Sequence, residues 1–205
     1  MTSRPKGGEG LVSRPSAYAF PGWPDNFRTA SAGAVTAVIA ERRAMTRDTE
    51  RALVAGAVGT AALTLMLALA PQLGSPALNF PLWDGTFFTL NLTWAVVLGY
   101  AVHFAIGMSL AVLFQRTVLP RYGSEAWLKG AAFGFLVWLT LMVAGFPLFD
   151  VLDPLAANGL LPSPGFFALG LGPTAPVMLL AAHLIYGAVV GALTGSVSHR
   201  ALAKL

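Results

Sequence analysis

Charge is scarce in this chain. Of its 205 residues only 11% are Asp, Glu, Lys or Arg, against about 25% in a typical soluble domain. So few charges do not cover a water-facing surface. Cysteine is absent altogether, which excludes disulfides, thiolate metal sites and a cysteine nucleophile. Residues 1–28 hold no apolar stretch of signal-peptide length, so no cleaved leader is expected. No Gly-rich phosphate loop, activated serine or metalloprotease helix is found. Ser109 has no base at helical spacing. The expectation is therefore a protein that is not an enzyme.

Apolar residues take the place of charge. They make up 56% of the chain, with mean hydropathy +0.67. Four stretches, about 52–72, 92–115, 127–148 and 174–198, are nearly free of charge. Each is long enough to cross the hydrocarbon core, which needs about 20 apolar residues. They contain no Asp or Glu and a single Lys, Lys129, close enough to an end to snorkel to the interface.

The basic residues fix a direction. The segment before the first span carries Arg4, Lys6, Arg14, Arg28, Arg42, Arg43, Arg47 and Arg51. Arg116, Arg121 and Lys129 flank the connection between spans two and three, and Arg200 and Lys204 follow span four. The connections 73–91 and 149–173 carry none. With four spans, all 13 lie on one side. The positive-inside rule then predicts that both termini are cytoplasmic. The pI of 9.9 reports topology and contact with anionic lipid. No aromatic–basic reading surface for nucleic acid is found.

Residues 1–25, rich in Pro, Gly and Ser, are expected to be a disordered tail. Asp25 or Asn26 can cap a helix over 26–50. That helix either lies on the cytoplasmic interface or extends the first span into solvent. The outer connections are rich in Phe and Pro, with Trp83 as an expected interfacial anchor. The second is long for a structureless loop and is expected to hold local structure. Asp84, Asp150 and Asp153 are its and its partner's only acids. They are read as solvated carboxylates, with no histidine beside them to make a metal site.

The spans repeat. "TLMLALAP" from Thr64 matches "TLMVAGFP" from Thr140, and "AVHFAIGMSLAVLF" from Ala101 aligns with "AAHLIYGAVVGALT" from Ala181. The expected fold is an all-α four-transmembrane-helix bundle. It would comprise two tandem two-helix repeats with pseudo-twofold symmetry along the membrane normal.

His103 and His183 sit inside spans two and four. Residues four apart share a helix face, so His183 aligns with Gly187, Gly191 and Gly195, and His103 with Gly107. Gly56 on span one and Gly130 and Gly134 on span three form similar stripes. Small residues at this spacing let helices approach closely in lipid. Both rings are therefore expected to face protein, with Thr64, Thr140, Tyr186 or a backbone carbonyl as partner. Three roles follow. The rings can make interhelical hydrogen bonds, ligate a metal or haem, or line a polar path for protons or a small solute. His199, beside Arg200, is read as a surface residue.

"GAVGTAALTLM", "HFAIGMSLAVLF", "GAAFGFLVWLTLMVAGFP" and "HLIYGAVVGALTG" together resemble a family of small four-helix bacterial and archaeal integral membrane proteins, a domain of unknown function. YagU-like inner-membrane proteins are a more distant likeness. The resemblance spans about residues 52–198 and implies topology without an assigned activity, cofactor or catalytic residue. The leading expectation is an accessory or interaction subunit of the prokaryotic inner membrane, as a homo-oligomer or within a larger membrane complex. The alternative is a small-solute or proton conduit using His103 and His183. A haem-binding redox subunit comes third.

Overall fold

The computed structural model describes residues 25–120 and 125–195, with side chains from Ala34 onward. The tail before Asp25, as well as His199, Arg200 and Lys204, lies outside the described residues. Two compact units divide after Met45. α1 (Asp25–Ala68) begins in the first and continues into the second. In the first unit the whole described stretch is helical, and Val35, Val38 and Ile39 are exposed.

The second unit is all-helical among the described residues. α1 ends where Pro71 enters a 3-10 turn (Ala70–Leu73) that closes on Gly74 in the left-handed region, φ 78°. α2 (Phe80–Thr86) is capped by Asn79, whose side chain accepts from Leu82 N at 3.1 Å. α3 (Leu92–Thr117) starts at Asn91, which accepts from Thr93 N and Trp94 N. α4 (Ala126–Thr140) runs through a π turn (Leu141–Gly145) into α5 (Phe146–Leu152). The second outer connection holds α6 (Pro154–Ala157) and a 3-10 stretch (Phe166–Leu171) before α7 (Ala175–Gly195). The local structure predicted from its length is therefore there.

Four helices are long and apolar enough to cross a bilayer: Ala34–Ala68, Leu92–Thr117, Ala126–Leu152 and Ala175–Gly195. At 1.5 Å per residue the shortest covers about 30 Å, the thickness of the hydrocarbon core. Apolar side chains cover the outside of the spans as well as filling the core. Leu65, Trp94, Leu136 and Val177, one on each span, are exposed, while glycines fill the contacts between helices. Large apolar side chains facing out and small ones at the helix contacts is the arrangement lipid favours. The chain is a multi-pass membrane protein with a four-helix transmembrane unit.

Glycine decides which helices touch. A Cβ on Gly134 would overlap the His183 carbonyl oxygen, one on Gly130 that of Gly187, and one on Gly191 that of Ala126. α4 and α7 thus pack backbone against backbone. A Cβ on Gly56 would meet Met108 Cα at 2.6 Å and Ala111 Cβ at 2.9 Å, which joins α1 to α3. Gly59 lies against Tyr186 and Val190 of α7, and Phe114 of α3 packs on Phe133 of α4 with centroids 5.5 Å apart. Lys129 does more than snorkel: its Nζ donates to the Leu119 carbonyl at 2.8 Å, just past the end of α3.

The segments that follow the first and third spans differ. α5 continues α4, whereas α2 is separate from α1 and folds back on α3. A Cβ on Gly85 would overlap the Ala95 carbonyl oxygen, and one on Gly99 that of Pro81. α2 therefore lies tightly on the first two turns of α3.

Candidate functional site

The docking of α2 carries a carboxylate to a histidine. Asp84 Oδ2 is 3.0 Å from His103 Nδ1, one turn beyond Gly99 on α3. A carboxylate accepts, so Nδ1 carries the proton and the neutral ring keeps its lone pair on Nε2. That Nε2 is buried and has no hydrogen-bond partner. The side chains of His103 and Asp84 are 12% and 21% exposed, so the pair is largely withdrawn from the surface. Asp84 is thus not the solvated loop carboxylate that its position suggests.

His183 on α7 is buried, and its Nδ1 donates to the Leu179 carbonyl at 2.7 Å. This settles its tautomer in the same sense, with Nε2 unprotonated in the neutral ring. Of the partners expected for the rings, a backbone carbonyl serves His183 and none of the named hydroxyls serves either ring. Thr64 donates to Thr60 O and Thr140 to Leu136 O, and Thr140 is exposed. Tyr186 donates to Gly107 O at 2.6 Å, tying α7 to α3.

Both histidines line one cavity of about 150 Å³. Thr60 of α1, Asp84 of α2, Val137 of α4 and Tyr186 of α7 share its wall, so every span contributes. A second cavity of about 230 Å³ is lined by Thr64, Pro71, Asn79 and Tyr100, toward the outer connection. His103 and Phe80 belong to both walls. They form a septum between the two spaces, with their ring centroids 6.1 Å apart.

The other outer acids are also engaged. Asp153 is fully buried and caps α6 through Leu155 N and Ala156 N. Asp150 accepts from Gly165 N at 2.8 Å. Among the described residues no group of three His, Cys, Asp or Glu stands in metal-binding proximity. The glycines expected at helix contacts, Gly56, Gly107, Gly130, Gly134, Gly187, Gly191 and Gly195, all face neighbouring side chains or backbone of this same chain.

Asp84 is the candidate-site residue that sequence reasoning missed. Its signal was there: Asn79 followed by Pro81 is a helix start, and Gly85 marks a flat face. The pentapeptide Phe80-Pro81-Leu82-Trp83-Asp84 also recurs as Phe146-Pro147-Leu148-Phe149-Asp150. The two segments open α2 and α5 and pack together, with Trp83 5.9 Å from both Phe146 and Phe149.

Fold and site thus define a small four-helix integral membrane protein with a polar cluster in its interior. Residues 46–204 match DUF6789, a family of unknown function, and the chain belongs to that family. No curated protein and no solved structure matches it.

Proposed function

We propose that this protein is a path through the membrane for a small solute or proton, without catalytic activity of its own. One observation carries the reading: the septum of His103 and Phe80 between two cavities, with Asp84 and His183 both on the wall of the inner one. Ionisable groups in a bilayer are costly and generally mark pathways or binding sites. The segregation of Lys and Arg supports an inner-membrane setting with cytoplasmic termini, the larger cavity then facing outward.

The accessory-subunit reading takes second place. The glycine stripes, read as helix-packing surfaces, are filled by this chain's own helices. A haem is disfavoured by size, because 150 Å³ matches engineered cavities of about that volume that hold benzene, far short of a porphyrin.

The natural absence of cysteine makes accessibility testable without background. Leu78→Cys lines the outer cavity, Leu63→Cys the inner one, and Leu65→Cys faces outward from the same helix. A small cationic methanethiosulfonate added to proteoliposomes is expected to modify the first two and spare the third. Leu63→Cys reacting no faster than Leu65→Cys would overturn the path.

A further inference from the structure

The inner cavity has an unusual chemical bias, and it specifies the occupant of the proposed path. Each polar side chain on its wall has its proton committed elsewhere. Thr60 donates to Gly56 O, Tyr186 to Gly107 O, His183 to Leu179 O, and His103 to Asp84. The remaining lining is apolar. The polar groups among the lining residues are therefore left as acceptors: two imidazole Nε2 lone pairs, two hydroxyl oxygens and the Asp84 carboxylate. No Lys or Arg lines the cavity, and Asp84 is the one carboxylate on its wall.

Such a wall offers nothing to an anion or to a pure acceptor. It matches an occupant that is positive and carries only donors. A metal ion would draw on His103, His183 and Asp84, but among the described residues no three such groups stand in metal-binding proximity. An N–H cation needs only scattered acceptors, and it gains from the aromatic faces of Phe80 and Tyr186 on the same wall. We propose that the cavity binds ammonium or a protonated primary amine of methylammonium size. Such an ion enters past the His103–Phe80 septum and donates to the Nε2 atoms of His103 and His183. The proposal rests on the path reading and adds the identity of what travels.

Histidine is rare enough here, at three residues, for selective ¹⁵N labelling to resolve each ring. The purified full chain in mild detergent is titrated with ammonium chloride or methylammonium chloride at constant ionic strength. Saturable shifts of the His103 and His183 Nε2 resonances are expected. Sodium chloride and tetramethylammonium chloride, which supply charge without N–H donors, should leave them in place. Asp84→Asn should weaken methylammonium binding by about thirtyfold or more, the loss that follows removal of one member of a buried charge pair. No saturable response to either N–H cation, or an equal response to tetramethylammonium, would overturn the proposal. A response to zinc chloride with none to ammonium would do so in favour of a metal. The salt titrations use the unaltered protein and do not depend on any variant folding. Reactive Leu63→Cys with no ammonium response would sink this inference alone; unreactive Leu63→Cys would sink the path itself.

Discussion

Replacing Gly187 by Ala tests whether α4 and α7 touch through their backbones. Helix propensity alone favours the change, since Ala is better than Gly by about 0.8–1.0 kcal/mol in a helix interior. Packing opposes it. The new Cβ would overlap the Gly130 carbonyl oxygen, lie 2.8 Å from that carbonyl carbon and 3.0 Å from Gly134 N. Ordinary contact begins at 3.4 Å, and both neighbours are backbone that no rotamer change moves aside. The helices must separate, and a gap of about 0.5–1 Å forfeits a quarter to a half of each dispersion contact along the seam. Overpacking of this kind costs about 1–3 kcal/mol. Gly145→Ala is the matched control. Its Cβ meets only the Leu141 side chain, whose Cδ1 lies at 2.7 Å and can swing away. Both positions are helical, Gly187 in α7 and Gly145 at the end of the π turn, and only Gly187 meets backbone, so Gly187→Ala should be less stable than Gly145→Ala by about 1–3 kcal/mol. Reversible unfolding in mixed micelles, followed by tryptophan fluorescence, measures the difference. Equal stabilities, or a more stable Gly187→Ala, would refute backbone contact between α4 and α7.

Two further changes address the outer layer. Gly99→Ala places a Cβ on the Pro81 carbonyl oxygen. It should lift α2 from α3 and make the 73–91 connection more sensitive to protease, with unchanged sensitivity counting against the docking. Asp153→Ala removes the buried cap of α6 and should lower stability by about 1 kcal/mol, while Asp153→Asn retains most of it. A fall in melting temperature for Ala well beyond that for Asn is the expected reading.

The four spans were legible because lipid imposes length and apolarity on each segment separately. Span two, expected over 92–115, is α3 at Leu92–Thr117, and span four, expected from 174, begins at Ala175. Span one ends earlier than expected, at Ala68, because Pro71 and Gly74 turn the chain. Span three runs on to Leu152, because a π turn carries the helix past Pro147. The glycines were legible as contact points, but a stripe does not name its partner. Only the structure pairs Gly130 with Gly187 and Gly56 with Met108. The histidines were legible as buried groups. Their partners were not, because Asp84 lies 19 residues from His103 in a segment whose aromatic residues looked like interface anchors. What joins them is the flat Gly85–Gly99 contact, a tertiary fact that local periodicity does not carry.

The central claim is that Asp84 leaves the outer connection to hold the His103 ring inside the membrane domain. The ¹⁵N spectrum of selectively labelled histidine tests it most directly, with His103 assigned by its loss in His103→Gln. The claim predicts a protonated Nδ1 on His103 whose resonance moves on Asp84→Asn, while those of His183 stay in place. A protonated Nε2 on His103, or a spectrum indifferent to Asp84→Asn, would contradict it.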